Sequence, residues 1–127
     1  MKRTRVLVIW VLAAAAVGGC AEAKVWKETY GNGQTKLEYQ YSDDGKGGRV
    51  YTGYYREYYE DGKLKVEDGY ADGERKGKRV EYHESGAVKV EEHYKNGKRE
   101  GKRIEYHPDG TLQFERTFAA GTCVAEC

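Results

Sequence analysis

Apolar and polar side chains alternate with a period of two along most of the chain. The alternation is clearest between Lys78 and Tyr94, where Val80 and Tyr82 are separated by charged residues and Val88 and Val90 repeat the pattern. A period of two places every second side chain on the same face of a β-strand. The pattern therefore predicts antiparallel strands with one apolar face and one polar face.

This alternation belongs to a unit that recurs at a fixed spacing along the chain. Three copies carry the unit in phase, and an earlier fourth copy precedes them at a longer spacing, with the extra residues in the glycine-rich segment 45–49. The positions in phase are Gly53, Gly77 and Gly101; Glu57, Glu81 and Glu105; Tyr58, Tyr82 and Tyr106; Gly62, Gly86 and Gly110; Glu67, Glu91 and Glu115; Tyr70, Tyr94 and Phe118; and Gly73, Gly97 and Gly121. Because such a unit buries its apolar side only against its neighbours, the repeat predicts one array over residues 25–121.

A three-residue turn ending in glycine separates the two strands of each copy. In the clearest copy the turn reads Glu84-Ser85-Gly86. A type I turn followed by a left-handed residue fits this length, and glycine adopts the required positive φ without strain. The sequence therefore predicts an all-β fold: a single antiparallel meander of about eight strands, built from tandem β-hairpins of about 24 residues.

The turn also predicts which residues face one another. Pairing His83 with Ala87 sets Tyr82 opposite Val88. If this register continues without interruption, apolar residues meet apolar residues and opposite charges meet, which stabilises a sheet. The further predicted pairs are Val80 with Val90, Arg79 with Glu91, Glu81 with Lys89, Arg103 with Glu115, Ile104 with Phe114, Tyr106 with Leu112, Glu57 with Lys65 and Tyr58 with Leu64.

A row of charged residues interrupts the predicted apolar face. Asp68, Glu92 and Arg116 stand between apolar residues in three copies, and the same register sets Tyr54 opposite Asp68 and Lys78 opposite Glu92. Either the row lies at the sheet margin, where charges pair or reach water, or it forms a polar stripe beside tyrosines that binds a partner. The candidate binding residues are Tyr54, Tyr58, Asp68, Tyr70, Tyr82, Glu92, Tyr94, Tyr106 and Arg116.

The first twenty residues differ from the rest of the chain. Lys2, Arg3 and Arg5 precede the apolar run 6–17, which is too short to span a membrane. Basic, apolar and small residues in this order are typical of a helical secretory signal, and the alternative is a buried helix.

The segment Val17-Gly18-Gly19-Cys20 resembles the lipobox of bacterial lipoproteins. The resemblance implies a signal peptide over residues 1–19, cleavage before Cys20, lipidation of Cys20 and a lipidated linker over residues 20–24. Several acyl chains on one residue give stable membrane anchoring. Ala21 stands where lipoproteins kept at an inner membrane often carry Asp, so in a Gram-negative source the resemblance implies the outer membrane, facing the periplasm.

Removal of the signal peptide leaves 19 Lys and Arg against 21 Asp and Glu, a net charge of −2. This balance argues against a nucleic-acid partner, which requires a basic surface.

Lipidation of Cys20 leaves Cys123 and Cys127, which can form a disulfide in the C-terminal tail, residues 122–127, outside the cytoplasm. Because the remaining chain is poor in Val, Leu, Ile and Phe, the twelve tyrosines must supply much of a thin core.

The repeated unit resembles the MORN-repeat variant found in YwqK-type antitoxins. The motifs that carry the resemblance are Trp26-Lys27-Glu28, Gly53-Tyr54-Tyr55-Arg56-Glu57-Tyr58, Gly77-Lys78-Arg79-Val80-Glu81-Tyr82 and Gly101-Lys102-Arg103-Ile104-Glu105-Tyr106. The resemblance implies an elongated, twisted meander of hairpins and, for one branch of the family, neutralisation of a toxin. Because an exported lipoprotein cannot meet a toxin in its own cytoplasm, such a toxin would have to arrive in the envelope.

The sequence offers little for catalysis or metal binding. His83 and His107 recur in adjacent copies, but two strands separate them by about 10 Å. No nucleophile has a base placed beside it, and an enzyme that uses a carboxylate of the sheet is the weakest of the hypotheses. We therefore expect a non-enzymatic, lipid-anchored protein-binding or scaffold module of the bacterial cell envelope, without a cofactor or metal. The alternative is an immunity lipoprotein against an envelope-delivered toxin.

Overall fold

The computed structural model describes residues 6–9 and 22–127. Within these residues the chain forms twelve β-strands and no helix, and hence no helix able to cross a membrane. The strands are β1 (Val6–Ile9), β2 (Lys24–Thr29), β3 (Thr35–Asp43), β4 (Arg49–Tyr58), β5 (Leu64–Ala71), β6 (Glu74–Arg75), β7 (Gly77–Tyr82), β8 (Val88–Lys95), β9 (Lys98–Arg99), β10 (Gly101–Tyr106), β11 (Leu112–Ala119) and β12 (Thr122–Ala125).

All the described strands belong to one antiparallel sheet. Its order is β1-β2-β3-β4-β5-β7-β8-β10-β11-β12, with β6 paired to β5 and β9 paired to β8. Strands that follow one another in the chain are therefore neighbours in the sheet. Four hairpins, β2–β3, β4–β5, β7–β8 and β10–β11, account for eight long strands, as the sequence predicts. The all-β meander is confirmed.

The two ends of the described chain add strands that the sequence did not predict. Val6–Ile9 pair antiparallel with β2, whereas the remainder of the predicted helical signal, residues 1–5 and 10–19, and the lipidation site Cys20 lie outside the described residues. At the other end, the predicted tail begins with β12, which pairs with β11. The sheet therefore extends beyond residue 121.

The glycine corners form as predicted. In the β7–β8 turn, the His83 amide donates to the Ala87 carbonyl at 2.8 Å and the Gly86 amide donates to the His83 carbonyl at 2.8 Å. The φ angle of Gly86 is +91°, a region where a Cβ atom is strained. Gly62 and Gly110 have φ angles of +88° and +84° in the equivalent turns, so the same corner is built in each copy.

A bulge beyond each turn makes most of the predicted register wrong by one residue. Tyr82 lies opposite Val88 as predicted, but Glu81 then lies opposite Val90 and Val80 opposite Glu91. One extra residue, Lys89, has entered the second strand, which is the definition of a bulge. Tyr58–Leu64 and Tyr106–Leu112 are likewise confirmed, while the other predicted pairs are replaced by Glu57–Val66, Ile104–Glu115, Arg103–Arg116, Glu105–Phe114 and Arg79–Glu92.

The bulge changes which side chains share a face. Because directly paired residues project to the same side, Val90, Glu92 and Tyr94 lie on the face of Arg79 and Glu81, not on that of Val80. We call this side of the sheet the network face. Its members, copy by copy, include Tyr39, Tyr41, Tyr51, Tyr55, Asp68, Tyr70, Arg75, Arg79, Glu81, Val90, Glu92, Tyr94, Arg99, Arg103, Glu105, Phe114, Arg116 and Phe118.

The buried residues are few. On the network face they are Tyr39, Tyr41, Val90, Tyr94 and the two carboxylates Asp68 and Glu92; Val25 and Val80 are buried on the opposite face. Among the described residues, none after Tyr94 is buried. The core therefore lies in the first three copies, and much of it consists of aromatic and polar groups.

Candidate binding face

Two buried carboxylates each bind a pair of arginines on the network face. Asp68, only 3% exposed, accepts a hydrogen bond from Nε of Arg75 at 2.7 Å and lies 3.4 Å from Nε of Arg79. Glu92, 2% exposed, accepts from Nε of Arg99 at 2.8 Å and from Nε of Arg103 at 3.2 Å. In both copies the two arginines follow the carboxylate at the same sequence separations. The repeat therefore copies an ionic cluster as well as a backbone.

Arg79 joins the clusters of two copies. Its Nη1 donates to Oε1 of Glu92 at 3.0 Å, while its Nε faces Asp68 at ion-pair distance without a hydrogen bond. Arg79 and Arg103 also pair with the glutamates two residues ahead of them, Glu81 and Glu105. Buried charges are tolerated when they are paired in this way. We call the set Asp68, Arg75, Arg79, Glu92, Arg99 and Arg103 the arginine–carboxylate network.

Two partners predicted for the carboxylates are wrong because of the bulge. Glu92 lies opposite Arg79 instead of Lys78, and Asp68 lies opposite Tyr55 instead of Tyr54. Lys78 pairs with Glu91 at 3.0 Å on the opposite face. Of the row that the sequence placed either at the sheet margin or in a binding stripe, Asp68 and Glu92 are the buried polar residues of the described chain, whereas Arg116 is only partly buried.

Arg75 and Arg99 are members of the network that the sequence analysis missed. They lie in the short strands β6 and β9, each reached through a two-residue turn, Asp72-Gly73 or Asn96-Gly97. Both residues of each turn have positive φ, at +50° and +81° in the first turn and +50° and +75° in the second, as in a type I′ turn. The signal was present: an Asp-Gly or Asn-Gly turn followed by an arginine recurs in phase with the repeat.

The two carboxylates occupy equivalent positions, but their pKa values are shifted in opposite directions. Burial raises the pKa of Asp68, and the hydrogen bond and charge of Arg75, the Gly69 amide and the charge of Arg79 only partly oppose it. Burial also acts to raise the pKa of Glu92, but Arg99, the Tyr94 hydroxyl and Arg79 together hold it below its ordinary value. The two pKa values shift in opposite directions because Glu92 accepts hydrogen bonds from three arginines and a tyrosine, whereas Asp68 accepts fewer.

In the first copy tyrosines occupy the network positions. Tyr39 takes the carboxylate position, and Tyr51 and Tyr55 take the two arginine positions. The ring of Tyr39 lies 4.9 Å from that of Tyr51 and 6.1 Å from that of Tyr55, and Tyr51 lies 5.2 Å from Tyr70. Aromatic pairs at these distances stabilise one another beyond the area they bury.

In the last copy the positions change again. Arg116 takes the carboxylate position, while Cys123 and Cys127 take the two arginine positions and form a disulfide. The network face therefore runs from an aromatic cluster, through two ionic clusters, to the last copy with Arg116 and the Cys123–Cys127 disulfide.

The outer arginines of the network reach solvent. The side chains of Arg75 and Arg99 are 41% and 43% exposed. The Arg75 guanidinium lies 5.3 Å from the Tyr94 ring centre, and that of Arg99 lies 5.5 Å from the Phe118 ring centre. A carboxylate below and a ring beside each guanidinium hold it in one orientation.

The remaining candidate tyrosines lie outside the network. Tyr54 lies opposite Gly69, and its ring centre is 4.7 Å from the Arg56 guanidinium. Tyr58 donates its hydroxyl hydrogen to Glu38 at 2.8 Å, and burial together with that bond raises its pKa to about 12. The carbonyls of Tyr82 and Tyr106 bond to the Tyr59 hydroxyl and to Nε2 of His83, at 2.8 and 3.0 Å. The contacts of Tyr58, Tyr82 and Tyr106 link neighbouring copies.

A shallow depression borders the network where the turns of two copies approach each other. It encloses about 580 Å³ next to Arg75. Its lining residues are Tyr70, Gly73, Glu74, Arg75, Asn96, Gly97 and Lys98. Within the described part of the chain, no group of three His, Cys, Asp or Glu side chains could hold a metal ion.

The fold and the periodic network define a protein of tandem β-hairpin repeats. The MORN repeat variant matches residues 51–72, 75–96 and 99–120, which together make up just over half of the chain. The chain belongs to this family. The matched segments begin at Tyr51, Arg75 and Arg99, the first arginine position of each network copy. No curated protein and no solved structure matches the chain.

Proposed function

We propose that the chain is a non-enzymatic, lipid-anchored protein-binding module of the bacterial cell envelope. The observation that carries the proposal is the open network face. All described strands lie in one sheet, and no second layer of described residues covers the half-exposed guanidinium groups of Arg75 and Arg99. Arginine and aromatic residues dominate the binding energy of protein interfaces.

The network makes these arginines suitable for binding because it orders them before a partner arrives. A free arginine side chain loses rotamer entropy when it is immobilised in an interface. The buried carboxylates of Asp68 and Glu92 and the rings of Tyr94 and Phe118 restrict Arg75 and Arg99 in the free protein. Part of the side-chain entropy that binding would cost is therefore already lost when the protein folds.

The same contacts support a non-enzymatic role. A general acid or base must be able to exchange a proton with a substrate. Asp68 and Glu92, the carboxylates most strongly removed from water, are covered by arginines and have no open side. In this proposal the two carboxylates position the arginines.

The anchor in this proposal is Cys20, on the strength of the Val17-Gly18-Gly19-Cys20 motif. Metabolic labelling with radioactive palmitate, followed by membrane fractionation, tests it. We expect label and membrane association for the parent protein and neither for Cys20→Ser. A labelled Cys20→Ser protein, or an unlabelled parent that remains in the membrane, would contradict lipidation at this residue.

Binding is tested by affinity capture from envelope extracts, followed by mass spectrometry. The variant Arg75→Ala/Arg99→Ala removes the exposed guanidinium groups, and Lys78→Ala/Lys102→Ala is the matched control on the opposite face. We expect proteins that the parent and the control enrich and the arginine variant does not. Equal recovery with all three proteins would count against the network face. Capture of a toxin would support the narrower alternative of an immunity lipoprotein.

A further inference from the structure

Arg116 interrupts the alternation of charge on the network face. It stands one repeat after Glu92, at the carboxylate position of the last copy, directly opposite Arg103. In the preceding copy the same position places a carboxylate, Glu92, opposite Arg79. Like charges directly opposite one another destabilise a sheet. The last copy therefore lacks the negative charge that its pattern calls for.

Arg116 also has no acidic partner among the described residues. Within the described residues its guanidinium makes neither a hydrogen bond nor an ion pair, and it lies 4.6 Å from the ring centre of Phe114. Arg103, by contrast, is held by Glu92 at 3.2 Å and by Glu105. A guanidinium carries five N–H donors in a planar fork that matches a carboxylate. Arg116 presents this fork on the face, already positioned by a ring.

We propose that Arg116 is the docking point for a carboxylate of a protein partner, an Asp or Glu side chain in an acidic segment that lies across the last copy. The inference rests on the proposed binding function and specifies its chemistry. A carboxylate at this point would restore the alternation of charge along the sheet. Phe114 and Phe118 flank Arg116 on the same strand face, so apolar residues beside the acidic one would also find contacts.

The surroundings favour a single carboxylate over a polyanion. Glu105 lies two strand positions from Arg103 on the same face, and Glu100, just before β10, accepts a hydrogen bond from the Ala120 amide just after β11. A phosphate-rich surface would meet these negative charges, and the chain from residue 20 onward carries a net charge of −2. One acidic side chain at Arg116 adds only a single negative charge beside them.

The test measures binding of the full chain to a fluorescent peptide of alternating Glu and Phe by anisotropy, with a Gln-for-Glu peptide of the same length as the neutral probe. Arg116→Glu supplies the missing carboxylate from within the chain. Lys89→Glu makes the same change of charge at an exposed position in the β8 bulge. We expect Arg116→Glu to weaken binding of the acidic peptide by about tenfold or more and Lys89→Glu by less than about twofold.

The same variant makes an independent prediction about folding. Because Glu at position 116 would face Arg103 as Glu92 faces Arg79, Arg116→Glu should raise the urea midpoint of unfolding while it weakens peptide binding. An arginine with a purely structural role would give the opposite result, a lower midpoint. Loss of binding together with a gain in stability separates the two roles.

Several results would overturn the inference. One is equal binding of the acidic and neutral peptides by the parent; another is equal weakening by Arg116→Glu and Lys89→Glu. Binding to phosphatidylglycerol vesicles that depends on Arg116, without peptide binding, would assign the residue to a membrane surface instead. If Arg116→Glu still captures the parent's envelope partners, this inference fails and the proposed function stands. If the parent itself captures none, the proposed function fails.

Discussion

Asp68 and Glu92 occupy the same place in consecutive copies, yet the protein shifts their pKa values in opposite directions. Burial dominates at Asp68 and raises its pKa, whereas at Glu92 the donors outweigh burial and lower it. The side chains are 1% and 3% exposed, so the contrast comes from the number of donors and not from solvent. The two residues should therefore respond to pH with opposite signs.

Glu92 should stabilise the fold more at neutral pH than in acid. A folded pKa below the ordinary value of 4.5 contributes stability that is present above the unfolded pKa and lost as the pH falls through the folded pKa. Glu92→Gln should therefore cost about 1–3 kcal/mol of unfolding free energy near neutral pH and less in acid. Urea unfolding of both proteins across the acid range checks this, and a cost that grows on acidification would contradict it.

Asp68→Asn should show the reverse trend. The folded pKa of Asp68 lies above its ordinary value of 3.8, so ionisation reduces stability as the pH rises through the folded pKa. Relative to the parent, Asp68→Asn should therefore become less destabilising as the pH rises from about 3 to about 7. The same urea series measures it, and parallel trends for the Asp68 and Glu92 variants would rule out different environments.

At the scale of the element, the sequence predicted the turns well and the strand pairing poorly. The glycine of the three-residue turn has one physical role, a positive φ, and it leaves a clear signal at Gly86. The bulge leaves no signal in the sequence, because Val88 and Val90 still alternate with polar residues although the extra residue, Lys89, places them on different faces. The faces, and with them the partners of Glu92, could be assigned only once the backbone was known.

The type I′ turns, by contrast, have a clear sequence signal, but the predicted strands did not include the short strands that follow them. Asp72-Gly73 and Asn96-Gly97 are typical of such turns, but Ala120-Gly121 replaces the polar residue at the same place. Ala120 adopts a φ of +48°, which Asn tolerates better than Ala. The third turn is therefore the least favourable of the three.

Ala120→Asn should stabilise the protein by about 0.5–1 kcal/mol, because Asn accepts the left-handed conformation more readily. Thermal and urea unfolding measure the change. Asn96→Ala is the reciprocal control and should destabilise by a similar amount. If Ala120→Asn lowers the unfolding free energy, the strain argument does not hold for this turn.

At the scale of the molecule, the four hairpins share one turn and bulge but differ in burial. The first copies contain the aromatic cluster and both buried carboxylates, whereas no described residue after Tyr94 is buried. A repeat array is held together by contacts between neighbours, so its stability need not be uniform along the chain. The disulfide between Cys123 and Cys127 lies at the end with the least burial.

Native-state hydrogen exchange should reveal this gradient. We expect amides of β3 and β4, around Tyr39 and Tyr55, to exchange by global unfolding, and amides of β10 to β12 to exchange through smaller openings. The reason is the number of buried contacts that each hairpin must break. Uniform protection across all four hairpins would instead indicate a single cooperative unit.

The sequence predicted the architecture because strands, turns and repeats depend on local spacing. It could not predict the arginine–carboxylate network, because that depends on which face the bulge assigns to Glu92 and on the short strand that carries Arg99. The predicted charge row, Asp68, Glu92 and Arg116, was nonetheless the correct place to look. Its members have different environments in each copy, which period-two parity cannot show.

A double-mutant cycle tests the network most directly, because two registers predict different partners for Arg79. In the structure Arg79 binds Glu92 at 3.0 Å, whereas the uninterrupted register would pair it with Glu91. Arg79→Met combined with Glu92→Gln should give a coupling energy of about 1–3 kcal/mol in urea unfolding. Combined with Glu91→Gln, Arg79→Met should give less than about 0.5 kcal/mol. Stronger coupling to Glu91 than to Glu92 would contradict the account.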